Sequence, residues 1–278
     1  MDLHIDNDSL RKFIPNVIFE VEGEALLLDK MLPWIESSRI WLEDHVLGQD
    51  YEPSGSLQLI VAKIIIYHAF AQAAPSLDLT LSPSGFSVIN TEGRAPASKE
   101  RVERLIASLN SFVEANLPPL LKSLASDQKW RGSFIGQWWL STFCPSLDDA
   151  MSFRRGNSLY EAYCLMRYTA LRFESELAER FLGKNFLDSI RGSFPDFETP
   201  GSRELFGEIH RAELRYISGH IADKIIACPN EHEIWHLARP LLAKLDYWPE
   251  LKELWESEMG DKVRTKPFKN SVQGGFYF

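Results

Sequence analysis

From Glu24 to Leu47 the apolar residues Leu27, Leu28, Met31, Leu32, Ile35, Ile40, Trp41, Val46 and Leu47 recur at intervals of three and four, and Gly48 stands where a helix would stop. A stripe of that period commits the stretch to one long amphipathic helix, bent at Pro33, and obliges the chain to provide other helices for it to pack on. Leu57 to Ala74 is a second, more apolar helix, ended by Pro75. Ser98 caps a third, carrying Val102, Leu105, Ile106, Leu109 and Val113, which Pro118 and Pro119 break before a short continuation to Leu124. Between the last two, Leu77 to Leu81 and Phe86 to Asn90 flank Ser82, Pro83, Ser84 and Gly85, the pattern of a β-hairpin over 77–90.

In the middle of the chain Trp130, Phe134, Trp138, Trp139 and Phe143 cluster in a segment whose Gly132, Gly136 and Pro145 argue for loops and short turns. The boundary is placed there. Residues 1–128 are read as an N-terminal helical bundle with the hairpin, 129–146 as an aromatic-rich linker, and 147–278 as a C-terminal helical domain. In the last, Leu159 to Leu182 is a long helix stopped by Gly183, further helices fall near 202–226, 231–245 and 249–259, and the alternating tail from Val263 to Phe278 is a terminal strand or hairpin. With 278 residues, 45% of them hydrophobic, the chain has apolar side chains enough for two modest cores. The expected fold class is mainly α, with two helical bundles that each carry a small β-hairpin or strand element. A degenerate duplication is one reading of this order, in which MLPWIESSRIWLEDHVLG (31–48) is echoed by LFGEIHRAELRYISGHI (205–221). Two unrelated runs of amphipathic helix are the other.

Charge narrows the function classes. Lys and Arg number 30 against 39 Asp and Glu, a net charge of −9, so no broad basic footprint for nucleic acid exists and a partner engaged by net charge should be basic. Cys144, Cys164 and Cys228 stand far apart with no CxxC, which suits buried small hydrophobes or free thiols in a reducing compartment. The acidic start MDLHIDNDSLRKF does not resemble a cleaved secretion signal, and Gln58, Lys63, His68 and Gln72 interrupt the apolar stretch 57–74, so neither secretion by that route nor a membrane span is expected. Glycine-rich phosphate loops and the GxSxG nucleophile motif are absent from the sequence, which leaves nucleotide binding and serine hydrolysis without local support.

Residues 75–106, PSLDLTLSPSGFSVINTEGRAPASKERVERLI, carry a Pro-Ser-Gly-Phe turn followed by an Ala-Pro-Ala-Ser-Lys-Glu-Arg-Val helix start. In this they resemble a family of prophage-encoded proteins of gut anaerobes. The segment Met31 to Gly48, with its possible echo at Ile209 to Ile221, is similar to the helical core of tailed-phage head-tail connector (head completion) proteins. The resemblance implies a non-enzymatic structural or assembly protein that oligomerises or docks on a portal-like ring, with itself and other virion proteins (portal, tail) as partners. It also implies residence in the host cytoplasm during assembly and then in the virion, with no specific nucleic acid, membrane or cofactor. Phe86 and Val88 on the hairpin and Phe276, Tyr277 and Phe278 in the tail are the candidate interaction residues, because exposed strands can join subunits edge to edge.

A rival reading comes from His232, Glu233, Ile234, Trp235 and His236. HExxH on a helix puts two imidazoles one turn apart to hold zinc, with Glu233 as general base for a zinc-bound water. Glu256, twenty residues after His236, has the spacing of the third ligand in thermolysin-like metallopeptidases. Pro229 and Pro240 leave the helix only about three turns, and Ile234, Trp235, Leu237 and Leu241 give it an ordinary apolar face, so the histidines also read as surface residues of a structural helix.

Overall fold

The first helix, α1 (Asn7–Phe13), begins at Asp6, whose carboxylate accepts the Ser9 N–H at 2.8 Å. A computed structural model describes residues 5–14, 26–77, 79–82, 85–88, 98–156, 158–221 and 230–264, of which 79–82, 85–88 and 261–264 are described in backbone only. It divides the chain into one unit of residues 1–139 with 146–148 and another of residues 140–145 with 149–278. The protein is mainly helical.

In the first unit the amphipathic stripe forms α2 (Leu27–Leu42), which runs on into a five-residue π-helical turn, Glu43–Leu47. Gly48, at φ 86° and ψ 148°, ends it by donating its N–H to the Glu43 carbonyl at 2.7 Å. Only glycine adopts that backbone conformation without strain. The apolar helix α3 (Ser56–Ala73) packs against α1, α2 and α4 (Lys99–Leu124). Its length and composition would also suit a bilayer, but Val61, Ile64, Ile65, Ile66 and Ala69 are spent on the interior of the unit, each fully buried. Two short strands, β1 (Leu79–Ser82) and β2 (Gly85–Val88), pair antiparallel with Leu79 opposite Val88.

The prolines expected to break the third helix do not. Lys99–Leu124 is continuous through Pro118 and Pro119, at the cost of two backbone donors. Buried Leu117, Leu120, Leu121 and Leu124 hold the last two turns in place, so tertiary packing outweighs the local penalty. The aromatic segment is likewise not a linker up to residue 139. It forms α5 (Gln128–Gly132) and α6 (Phe134–Trp139) within the first unit, and Trp130 and Trp139 are 1% exposed. Their indoles satisfy carbonyls that the π turn leaves without helical partners: Trp130 Nε1 donates to Val46 O at 2.8 Å and Trp139 Nε1 to His45 O at 2.9 Å.

The second unit contains α8 (Leu159–Leu177), α9 (Lys184–Gly192), α10 (Pro200–His220), α11 (Glu231–Lys244) and α12 (Pro249–Arg264), with α7 (Leu147–Met151) lying across the division between the units. Ser158 and Glu161 start α8 with a reciprocal capping box. That helix also ends in a five-residue π turn, Ala178–Leu182, closed by Gly183 at φ 85° and ψ 145°, whose N–H meets the Ala178 carbonyl at 2.9 Å. Trp255 Nε1 donates to Phe181 O at 2.9 Å. The two units therefore share a device: helix, π turn ending in Leu-Gly, and a distant indole on the carbonyl two residues before the glycine. An aromatic residue follows three positions after each glycine, and an acidic side chain three residues from the indole holds it. Tyr51 Oη donates to Asp127 at 2.8 Å, and Phe186 N–H donates to Glu258 at 2.9 Å. The π turn that ends α8 thus resembles the one that ends α2, while the echo of 31–48 expected at 205–221 lies on α10.

Phe143, Phe173, Phe186, Leu205, Ile209, Tyr216, Ile234 and Leu241 form the centre of the second core. Among the described residues this unit has no strand; Val263 and Arg264, expected at the start of a terminal strand, end α12. Cys228 and the tail with Phe276, Tyr277 and Phe278 lie outside the described residues, and Phe86 and Val88 are described only as backbone of β2.

Candidate functional site

Asn230 caps α11 by accepting the His232 N–H at 3.0 Å, which fixes the first turn of the HExxH helix. His232 and His236 then lie one turn apart on its exposed face, with their Nε2 atoms 3.2 Å from each other. The expected convergence of the two imidazoles is present, one ring N–H serving the other ring's lone pair. The rest of the constellation is not assembled around them. Glu233 directs its carboxylate to His220 Nε2 instead, at 2.9 and 3.0 Å, and Glu256 stands exposed on α12. Trp235, 39% exposed, lies over Phe181 with ring centres 5.4 Å apart, so the helix's neighbour at this point is aromatic rather than ligating.

Among the described residues, the group of His, Cys, Asp and Glu whose potential ligand atoms all lie within 4.8 Å of one another is Cys144, Asp149 and His210. None of these was singled out from the sequence as a ligand. They come together because the segment 140–145 is clamped onto α8: Arg167 Nε donates to Ser141 Oγ at 2.9 Å and the Phe143 N–H donates to Glu174 at 2.9 Å. That clamp buries Cys144 completely, and His210 on α10 reaches Asp149 on α7 with Nε2 3.0 Å from Oδ2. His210 and Asp149 are partly exposed at the mouth, with 29% and 17% of their side chains accessible.

Behind this group sit two carboxyls. Glu174, 4% exposed, is paired with the Arg191 guanidinium, which also stacks 5.0 Å from the Phe143 ring centre. Glu213, 0% exposed, lies one turn after His210 on α10, against Glu174 and the Cys144 thiol, and neither of its oxygens has a hydrogen bond of ordinary geometry. Burial and the neighbouring Glu174 charge push Glu213 well above the usual carboxylate range. Burial raises Glu174 too, with Arg191 and the Phe143 N–H opposing the rise. The Cys144 thiol is pushed far up, by burial first and then by the carboxylates around it.

In the first unit, Glu43, Asp44, Leu47, Asp50, Lys129 and Phe134 border a hollow of about 500 Å³ beside the π turn. Phe134 is 80% exposed at its rim. The aromatic cluster was visible in the sequence, but not that Trp130 and Trp139 face inward while Phe134 faces solvent.

Residues 18–133 match the profile of a family described as being of unknown function, DUF6712, a stretch of less than half the chain that falls in the first unit. No curated protein and no solved structure matches the chain.

Proposed function

We propose that the chain is a non-enzymatic structural or assembly protein, similar to phage head-tail connectors, that oligomerises or docks on a portal-like ring. The observation that supports this is the hollow beside the first π turn. Its lining includes the acidic residues Glu43, Asp44 and Asp50 beside Lys129, and Phe134 projects from it almost fully exposed. An exposed aromatic side chain beside an acid-lined depression is the chemistry of an anchor for another protein surface that is basic and apolar. The net charge of −9 favours the same partner. On this reading the partners are further copies of the chain and other virion proteins (portal, tail), and the protein works in the host cytoplasm and then in the virion. The two units are read as a degenerate duplication, supported by the repeated π turn and its capping indole.

Sedimentation velocity of the full chain, alone and mixed with a portal ring from the same genome, tests the reading. Association that is weakened at least tenfold in Phe134→Ser, with unchanged helix content, is the expected outcome. A chain that stays monomeric in both settings overturns it. The rival, a zinc peptidase using His232, His236 and Glu256 with Glu233 as base, is supported by the converging imidazoles alone. Zinc-dependent peptide cleavage abolished in Glu233→Gln would favour it over assembly.

A further inference from the structure

We infer that Cys144, Asp149 and His210, joined on binding by the adjacent buried Glu213, form a structural site for a zinc-class divalent ion in the second unit. The inference stands on its own and does not depend on the assembly reading or on the HExxH motif. Two observations carry it. The first is the convergence of one sulfur, one carboxylate and one imidazole nitrogen, all within 4.8 Å of one another. Ligand atoms around a tetrahedral zinc ion stand roughly 3.3–3.8 Å apart, so the Cys144 sulfur need approach by no more than about an ångström while the His210–Asp149 pair, 3.0 Å apart, opens slightly. The second is Glu213. A carboxyl that is 0% exposed, set against Glu174 and the Cys144 thiol with no hydrogen bond of ordinary geometry to either, is an expensive group to keep in a core. It lies against the Cys144 thiol but outside the group whose ligand atoms are all within 4.8 Å of one another, so it must turn towards that group to become the fourth ligand.

The donor set selects the ion. A thiolate with an imidazole favours zinc and related transition metals over magnesium or calcium, which take oxygen ligands. Binding displaces the hydrogen bond between His210 Nε2 and Asp149 Oδ2, and the thiol and the Glu213 carboxyl each release a proton to solvent. Two carboxylates, a thiolate and a neutral imidazole then surround the 2+ ion with an excess charge of −1. Four protein ligands leave no open position for water, which makes the site structural and not catalytic. Its mechanical effect is to fasten the 140–145 segment and Asp149 to α10 within the second unit. The neighbouring Glu174 is occupied by Arg191 and by the Phe143 N–H and is not needed as a ligand.

The test uses the full chain, stripped with a chelator and titrated with Co²⁺, whose thiolate ligation gives a near-ultraviolet charge-transfer band. One cobalt per chain with that band is expected, displaced by one equivalent of zinc. The band should vanish in Cys144→Ser and fall at least tenfold in apparent affinity in His210→Gln, while the double variant His232→Ala/His236→Ala and the single variant Cys164→Ser keep it. His210 is partly exposed, so His210→Gln remains informative if Cys144→Ser does not fold, as judged by circular dichroism. No band on the wild-type chain overturns the inference, as does a band that survives Cys144→Ser or an affinity unchanged in His210→Gln. A band lost only in the His232/His236 variant moves the metal to α11 and overturns it equally.

Discussion

Trp255 places its indole N–H on the carbonyl of Phe181, 2.9 Å away and seventy-four positions earlier in the chain. Trp130 does the same for Val46 at 2.8 Å across eighty-four positions. In both cases the accepted carbonyl belongs to a π turn, where the shift from i+4 to i+5 pairing leaves acceptors that the helix itself cannot satisfy.

Trp255→Phe keeps an aromatic ring and removes only the donor, so it isolates that hydrogen bond. A buried carbonyl left without a partner costs about 1–3 kcal/mol. Urea denaturation should show a lower midpoint at unchanged slope, and a midpoint equal to wild type would show that the carbonyl is served by water.

Gly48 and Gly183 adopt φ near 86° and 85° with extended ψ, a region essentially closed to residues with a Cβ. Alanine at either should destabilise by about 1–3 kcal/mol. Gly183→Ala should be the worse of the two, because its Cβ would come within 2.5 Å of the Glu258 carboxylate carbon, while at Gly48 the nearest side-chain atom is 3.8 Å away. Equal losses in thermal unfolding would mean that Glu258 moves aside freely.

His68 in α3 stacks on Trp41 with ring centres 4.4 Å apart and meets the buried Ser38 hydroxyl at 2.9 Å. Burial holds its pKa below the ordinary 6.5. The unfolded chain therefore takes up a proton at a pH where the folded chain does not. The stabilising contribution is complete above about pH 6.5 and is lost as pH falls towards the lower folded value, by at most about 1.4 kcal/mol per pH unit. Between pH 7 and 5.5 the unfolding free energy of the wild type should fall more steeply than that of His68→Gln, and parallel profiles would remove His68 as the cause.

Arg191 is the basic group in ion-pair contact with the buried Glu174. Arg191→Leu strands that carboxylate and should cost roughly 3–5 kcal/mol, whereas pairing it with Glu174→Gln should restore much of the loss. A double variant no better than the single one would place the effect in packing against Phe143 instead.

The helices were legible because burial on one face imposes a period that survives in the sequence; Leu159 to Gly183 and the stop at Gly48 were read from it directly. What the sequence hid were contacts that join distant positions. Gly132 and Gly136 suggested loops, but α5 and α6 are held by indole hydrogen bonds to residues more than eighty positions away, which no local pattern records. Pro118 and Pro119 looked like breaks because the local penalty is visible and the buried leucines that outweigh it are not. HExxH was legible as a motif and its two imidazoles do meet. The Cys144, Asp149 and His210 group spans sixty-six positions and leaves one local trace, His210 and Glu213 one turn apart on α10.

The division of the chain has a consequence for anyone who would dissect it. The first unit owns 146–148, including Leu147 at 1% exposure, and the second owns 140–145, including Phe143 and Cys144 at 0%. The backbone thus leaves one unit, enters the other, returns for three residues and leaves again. A single cut before residue 140 takes 146–148 from the first unit, and one after 148 takes the Phe143 and Cys144 segment from the second. No fragment boundary chosen at one bond gives both halves their complete interiors, so the chain is better treated as a single unit of expression than as two separable pieces.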